Sequence, residues 1–279
     1  MKLHRIYQRL YYEFGKRHFF ALTGFLRVLP DFLIIGAMRS GTTSLYYDIC
    51  EHPCIIPAAY DEIGYFDTNY HLGLNWYRSM FPTKFKKNST IKHHGYFLTG
   101  EDTPFYFWRR DAAKRIHDLL PNIKLIVILR NPIDRAYSEH NNAVRVGTVK
   151  KSFEEVIDTE LKIYQENKVD FEFNLEQAAG ESILAKGIYA DQLSIWLEKF
   201  KHEQIFVIKN EDLTDDSNTV LNETYHFLGL PEYNLTDHHK MKKGKYEKMN
   251  EKTREKLFDF FKPHNLRLEN LLNRKFEWK

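Results

Sequence analysis

Two short stretches of the chain carry the residues best suited to binding an anion. The first is GAMRSGTT, which follows an apolar run ending at Gly36 and opens a helical pattern at Thr42. A glycine-bearing turn between a strand and a helix points backbone N–H groups at one anion, and threonine hydroxyls add donors. Arg39 supplies a fixed positive charge from within the loop. The pattern predicts a loop that binds a phosphate-like group.

This loop differs in one position from the loop of P-loop NTPases. Those enzymes carry a lysine after the second glycine, where it contacts the β- and γ-phosphates, and a following hydroxyl that holds magnesium. Thr42 occupies the lysine position here, and we expect no aspartate at the end of a neighbouring strand to hold a metal. A donor with less charge and no metal therefore fits better. The alternative is an ordinary glycine turn in which Arg39 is solvated.

The second stretch, LRNPIDRAYS, places another cation after the apolar run Lys124–Leu129. The Arg130 guanidinium can bind a phosphate through two N–H groups, and Ser138 lies in the second turn of the helix that follows. Two anion sites at one sheet edge suit a nucleotide with a 5′ phospho-anhydride and a further phosphate on the ribose. The alternative is a structural ion pair of Arg130 with Asp134 or Glu139.

Alternating strands and helices must position both stretches. Apolar runs predict three buried parallel strands, at Phe32–Ile35, Lys124–Leu129 and Gln204–Lys209. Helices are predicted around them, at Thr42–Glu51, Ala112–Leu120, Pro132–Ala143, from a Ser152/Glu155 capping box to Asn167, Asp191–Phe200, Asn218–Leu228 and Thr253–Phe261. This order predicts an α/β fold. We expect a single P-loop-like domain over residues 30–279, with a central, mostly parallel sheet flanked by helices.

Composition limits the class of partner. The formal net charge of +3 is too small to indicate nucleic acid, and 43% apolar with 28% charged residues is ordinary for a soluble globular protein. Cys50 and Cys54 are the only cysteines, which favours reduced thiols and a cytoplasmic location. The adjacent histidine pairs, His93-His94 and His238-His239, have no further ligands nearby that would complete a metal site. We therefore predict no metal.

Three basic segments remain. Residues 1–29 mix lysine and arginine with aromatic residues, which predicts a helical extension packed on the domain, or alternatively peripheral contact with an anionic membrane. Lys84–His94 and Arg145–Lys151 are read as basic loops. They are candidates for lining an acceptor cleft for an acidic sugar, and the alternative is that they are merely solvated.

The two anion-binding stretches, taken together, resemble a known family. GAMRSGTTSLY and LRNPIDRAYS are similar to the 5′-phosphosulfate and 3′-phosphate segments of PAPS-dependent sulfotransferases. DEIGYFDTNYHLGLNWYRSMFP, residues 61–82, resembles the segment of glycosaminoglycan sulfotransferases that carries the catalytic glutamate, above all in heparan sulfate N-deacetylase/N-sulfotransferases and also in 3-O-sulfotransferases. EDTPFYFW, AKGIYADQLSIWLEKF and KKGKYEKMNEKTREKLFDFFKPHNLRL follow in the family order, so the resemblance covers residues 30–270.

The resemblance implies a function and a set of site residues. The donor would be PAPS (3′-phosphoadenosine 5′-phosphosulfate), bound without a metal, and the product adenosine 3′,5′-bisphosphate. The 5′ phosphosulfate would be held by Arg39, Ser40, Gly41, Thr42 and Thr43. The 3′ phosphate would be held by Arg130 and Ser138, and a late basic loop would be formed by Lys243, Gly244 and Lys245. Glu62 would be the catalytic base, with Arg39 and Lys243 stabilising the leaving oxygen.

Two positions depart from the family pattern. Arg39 stands where the glycosaminoglycan enzymes usually have lysine, although RSGTT resembles the loop of tyrosylprotein sulfotransferases. Asp61 stands where Lys or Glu often precedes the base. The function predicted is transfer of a sulfuryl group to a hydroxyl or amine of a carbohydrate-type acceptor, with O- and N-sulfation both open. The alternatives are a P-loop small-molecule kinase and a non-enzymatic polyanion-binding protein.

Overall fold

The computed structural model describes residues 17–167, 182–239 and 247–279. Four parallel strands form one sheet in the order β2-β1-β3-β4. The strands are β1 (Phe32–Gly36), β2 (Gly100–Asp102), β3 (Lys124–Leu129) and β4 (Ile205–Lys209). The predicted α/β fold with a central parallel sheet flanked by helices is therefore confirmed.

Eleven α-helices surround the sheet in the described part of the chain. They are α1 (Arg17–Leu22), α2 (Thr42–Cys50), α3 (Leu74–Arg78), α4 (Lys84–His94), α5 (Arg110–Leu119), α6 (Pro132–Val146), α7 (Phe153–Asn167), α8 (Tyr189–Leu197), α9 (Asn210–Asp215), α10 (Ser217–Leu228) and α11 (Glu251–Leu272). No helix among these is long and apolar enough to cross a membrane. The predicted extension over residues 1–29 falls largely outside the described residues, which begin with α1.

The sheet is covered on both faces, which is why its strands are apolar without interruption. Successive residues of β1 alternate between the two sides: Leu33 and Ile35 belong to one apolar cluster, Phe32 and Ile34 to the other. The first cluster includes Tyr77, Tyr106 and Trp196, and the second includes residues of α2 and α10, led by Leu45, Tyr46, Leu221 and Tyr225. The site described below lies where these strands end.

The three strands predicted from apolar runs are present, within one residue at their ends, but β2 was missed. Its sequence, Gly-Glu-Asp, has no apolar side chain, and its place in the sheet comes from pairing with β1. The expectation that no aspartate ends a neighbouring strand was wrong, because Asp102 ends β2 beside β1.

Two predictions of local structure also need correction. Lys84–His94, predicted as a loop, is the helix α4. The Thr83 side chain caps its start by accepting a hydrogen bond from the N–H of Lys86, and Gly95 ends it in the left-handed region. No apolar stripe marks this helix in the sequence, so periodicity could not reveal it. The last helix, predicted to end at Phe261, runs to Leu272 and includes Pro263.

Other local signals are confirmed. Ser152 and Glu155 form the predicted capping box, with the Glu155 carboxylate accepting from the Ser152 N–H at 2.7 Å and Ser152 Oγ accepting from the Glu155 N–H at 3.2 Å. Cys50 and Cys54 are free thiols. The basic stretch Arg145–Lys151 was predicted as a loop, which is wrong for its first two residues, because α6 ends at Val146.

Candidate active site

The loop between β1 and α2 is held in a backbone shape that its sequence alone does not favour. Arg39 has φ 65° and Gly41 has φ 95°, both left-handed, and only glycine adopts that region freely. Asn210, which follows β4, donates from Nδ2 to the Ser40 carbonyl oxygen at 2.7 Å. A Cβ on Gly41 would lie 2.9 Å from that same Nδ2. Glycine is therefore required here by conformation and by space.

The first turn of α2 offers uncapped backbone donors at this loop. Gly41 is the N-cap and provides no side-chain acceptor, in contrast to Thr83 and Asn131, which cap α4 and α6. The N-terminal N–H groups of a helix have no intrahelical partner and carry partial positive charge. Thr42 is buried and Thr43 half-buried in this turn. The arrangement suits an anion.

The two anion-binding stretches meet across the edge of the sheet. Ser138, on α6, lies 3.4 Å from Nε and 3.3 Å from an Nη of Arg39, with its hydroxyl oxygen as the acceptor. Arg130, at the end of β3, donates from an Nη to the Arg39 carbonyl oxygen at 3.4 Å. The Arg39 side chain is exposed, whereas Ser138 is buried. Residues 99 positions apart in the chain thus share one surface.

The carboxylates considered as alternative partners of Arg130 are engaged by other cations. Asp134 pairs with Arg254 at 2.9 Å. Glu139 pairs with Lys186 at 2.6 Å and with Arg135 at 2.5 Å. Burial acts to raise the pKa of Glu139, but the charges of Arg135 and Lys186 outweigh it and lower the pKa. These pairs connect α6 to neighbouring segments, and the alternative ion pair of Arg130 with Asp134 or Glu139 is not formed.

The backbone of Arg130 and Asn131 is held by hydrogen bonds with residues that were not predicted to belong to the site. The Tyr189 hydroxyl donates to the Arg130 carbonyl oxygen at 2.9 Å. Glu211 accepts from the Asn131 N–H at 2.9 Å and from the Trp278 indole N–H at 3.1 Å. Burial raises the pKa of Tyr189 to about 12, so it stays a neutral donor. In the sequence, the only indication of a role for Tyr189 was its position in AKGIYADQ, which is part of a stretch that resembles the family.

Glu62 lies at the carboxyl end of β2, with its side chain exposed. Its backbone has φ 52°, and its N–H donates to the Asp102 carbonyl oxygen at 3.0 Å. The preceding Asp61 accepts a hydrogen bond from the Tyr47 hydroxyl of α2. Tyr47 is one helical turn beyond Thr43, so residues 61 and 62 sit beside the first turns of α2 and close to the loop that begins it.

Strand β2 ends in two buried acids with contrasting surroundings. Glu101 accepts three hydroxyl hydrogen bonds, from Tyr77 at 2.7 Å, Thr103 at 2.8 Å and Tyr106 at 3.3 Å. Burial raises its pKa to about 7, although these donors oppose the shift. Asp102 is fully buried, and no other residue in the described part of the chain forms a hydrogen bond with its carboxyl oxygens.

The burial of Asp102 and the acids around it affect its protonation. Burial, followed by the charges of Asp61, Glu62 and Glu101, raises its pKa to about 9, so the carboxyl keeps its proton at neutral pH. Within the part of the chain that the structure describes, no group of three metal-binding side chains occurs.

Three predicted site residues, Lys243, Gly244 and Lys245, lie outside the described residues. The chain leading to them is tied to α2, because His239 donates its N–H to Asp48 at 2.7 Å and brings its Nδ1 to 3.0 Å of the same oxygen. His238 also approaches Asp48, at 3.4 Å.

Comparisons with known proteins show which family the chain resembles. Residues 29–265 match the family described as the sulfotransferase domain. The membrane-associated sulfotransferase kil1 of Dictyostelium discoideum is 28% identical over 92% of this chain and 68% of its own length. The bifunctional heparan sulfate N-deacetylase/N-sulfotransferase 3 of Homo sapiens is 33% identical over 88% of this chain, which spans only 30% of that relative.

A solved structure gives the same result. A sulfotransferase from Alicyclobacillus acidocaldarius superposes with a TM-score of 0.66 and 27% identity, covering 89% of this chain and 98% of the other. The family match extends over most of the chain and includes the loop after β1, the Glu62 region and the start of α6. The chain therefore belongs to the sulfotransferase family.

Proposed function

We propose that this sulfotransferase moves the sulfuryl group of PAPS to a hydroxyl or amine of a carbohydrate-type acceptor. The observation that carries the proposal is the meeting of Arg39 with Ser138 and Arg130 at the sheet edge. This contact brings the loop that contains Arg39, which suits one anion, next to Arg130 and Ser138, which suit a second anion. A nucleotide with a phosphosulfate at one end and a 3′ phosphate at the other matches two such sites.

The donor-binding roles follow from the chemistry of the residues. The uncapped N–H groups of the α2 first turn, with Ser40, Gly41, Thr42 and Thr43, hold the 5′ phosphosulfate. Arg130 and Ser138 hold the 3′ phosphate. Lys243, Gly244 and Lys245 are assigned to the donor by the family resemblance alone.

The transfer itself needs positioning and charge stabilisation from the protein. The bond between sulfur and the bridging oxygen breaks, and its electron pair stays on that oxygen. A new bond forms between sulfur and the acceptor oxygen or nitrogen, whose proton passes to the Glu62 carboxylate. Arg39, with Lys243, stabilises the charge that develops on the bridging oxygen. Arginine keeps its proton and acts there through charge and hydrogen bonding.

The acceptor class is proposed from the relatives. Several relatives are named as heparan sulfate N-deacetylase/N-sulfotransferases, which supports a carbohydrate-type acceptor. This chain spans about 30% of their length, so their complete activity is not transferred to it. The Glu62 side chain is exposed.

A binding measurement and a transfer measurement test the proposal together. Calorimetric titration with adenosine 3′,5′-bisphosphate in EDTA is expected to show binding, and ATP with magnesium is expected to show none. A panel of acceptors with ³⁵S-labelled PAPS then identifies a substrate. Glu62→Gln is expected to keep the affinity for the bisphosphate and to lose about 10²-fold or more of kcat, as expected for removal of a general base.

The matched control is Glu232→Gln, which makes the same change at an exposed position. It is expected to retain both binding and transfer. Binding of magnesium ATP in place of the bisphosphate would identify a kinase and overturn the proposal. Unchanged turnover in Glu62→Gln would remove Glu62 from the role of base.

A further inference from the structure

The segment that carries Glu62 is attached to the end of β2 and the residues after it by three of its own backbone N–H groups. We call residues 61–66 the Glu62 loop. Glu62 donates to the Asp102 carbonyl oxygen at 3.0 Å, Gly64 to Thr103 Oγ1 at 3.2 Å, and Phe66 to the Tyr106 hydroxyl at 3.3 Å. Two of the three acceptors are therefore side-chain hydroxyls, which can rotate.

Both hydroxyls are oriented by one buried carboxylate. Thr103 donates to Glu101 Oε2 and Tyr106 donates to Glu101 Oε1. A hydroxyl has one hydrogen to donate and two lone pairs that accept. With the hydrogen directed to Glu101, the lone pairs remain for the N–H groups of the Glu62 loop. Glu101 is fully buried, so water does not compete for these donors.

The Glu62 loop needs such anchoring because its backbone is not one that its sequence favours. Glu62 itself has φ 52°, in a region that non-glycine residues adopt at a cost. A residue in that conformation persists where its surroundings hold it there. The position of the Glu62 carboxylate therefore depends on the backbone that carries it.

We propose that Glu101 is a positioning residue for the transfer reaction, holding Glu62 in place through the hydroxyls of Thr103 and Tyr106. This inference rests on the proposed role of Glu62 as the base. Glu101 lies beneath the loop in the protein interior and acts on the reaction only through these two side chains. Displacement of a base by about 1 Å costs on the order of 10²-fold in rate, so the anchoring affects kcat.

The structure offers a matched control for this proposal. Tyr77 also donates its hydroxyl to Glu101, at 2.7 Å, but its hydroxyl accepts no N–H from the Glu62 loop. Tyr77→Phe and Tyr106→Phe therefore remove the same group from the same carboxylate, and only the second also removes an anchor of the loop. Thr103→Val removes the other anchor, and Thr103→Ser retains the hydroxyl.

The experiment measures kcat, the KM for PAPS, the dissociation constant of adenosine 3′,5′-bisphosphate and the thermal midpoint for all four variants. Thr103→Val and Tyr106→Phe are expected to lower kcat about tenfold or more while the bisphosphate affinity stays within about twofold. Tyr77→Phe is expected to lower the thermal midpoint to a similar extent, with kcat within about twofold of the parent. Thr103→Ser is expected to restore kcat.

Equal losses of kcat in Tyr77→Phe and Tyr106→Phe would overturn the proposal, because Glu101 would then be only structural. Wild-type kcat in Thr103→Val, with Glu62→Gln inactive, would also overturn it while leaving the proposed function intact. Failure of the parent protein to bind the bisphosphate would instead refute the proposed function. If Thr103→Val does not fold, Tyr106→Phe, which keeps the ring, decides the question.

Discussion

The buried carboxyl of Asp102 makes the stability of this protein depend on pH in a predictable direction. Its side chain is fully buried, and no other described residue forms a hydrogen bond with it. Burial beside Asp61, Glu62 and Glu101 raises its pKa to about 9. An aspartate in an unfolded chain has a pKa of about 3.9. Between these values the folded protein retains a proton that the unfolded chain has released.

The sign and the size follow from this difference in bound protons. Because the folded state binds one more proton, its stability falls as pH rises, by about 1.4 kcal/mol per pH unit for a full proton. From about pH 5 to about pH 8 the loss from Asp102 approaches about 4 kcal/mol. The amide introduced by Asp102→Asn does not titrate. The free energy of unfolding of this variant minus that of the parent is therefore expected to grow by the same amount over that range.

Urea unfolding at about pH 5, 6, 7 and 8 measures this quantity for both proteins. The pH dependence is the informative part, because any fixed cost of burying the asparagine amide cancels between pH values. Asp215→Asn, at an exposed position, is the control and is expected to show a flat difference. A flat difference for Asp102→Asn would mean that Asp102 is ionised in the fold and would refute the reasoning.

Two further predictions concern the sheet edge and the helix beneath it. Arg130→Ala is expected to weaken the binding of adenosine 3′,5′-bisphosphate about 10-fold or more and to leave the binding of adenosine 5′-phosphate nearly unchanged, as measured by calorimetry. Equal losses of affinity for both nucleotides would contradict the assignment of Arg130 to the 3′ phosphate. Glu139→Gln is expected to lower the free energy of unfolding in urea by about 3–5 kcal/mol, because it leaves the buried charges of Arg135 and Lys186 without their carboxylate. A loss below about 1 kcal/mol would show that water already compensates these charges.

The elements that sequence reasoning located are those in which local pattern and final environment agree. Strands β1, β3 and β4 are apolar runs because both faces of a parallel sheet are covered, and glycine spacing after β1 reflects a turn that only glycine can make at residue 41. The conjunction of the Arg39 and Arg130 stretches was predictable for the same reason: parallel strands bring their carboxyl ends to one edge.

What the sequence left hidden depends on contacts between distant segments. Strand β2 has no apolar residue, and its burial results from pairing with β1. Glu101 becomes a hub only because Tyr77, from α3, and Tyr106, after β2, converge on it in the fold. Neither fact has a local signature, since hydrogen-bond partners separated by 24 residues leave no periodic pattern.

The alternation of side chains along β2 explains how one short strand serves two sides of the site. Successive residues of a strand face opposite sides of the sheet. Glu101 faces the apolar cluster that contains Tyr77 and Tyr106. Asp102 lies on the other side, close enough to Tyr46 and Cys50 of α2 for its charge to raise their pKa values after burial has done so.

Three acids therefore converge at the end of β2 with different access to solvent. Among the residues that the structure describes, buried Glu101 has three hydrogen-bond donors and buried Asp102 has none from another residue. Of the three acids, Glu62 alone is exposed. Asp102 keeps its proton at neutral pH, so it adds no negative charge beside Glu62. The exposure of the Glu62 side chain is compatible with the proposed role of this residue as the base.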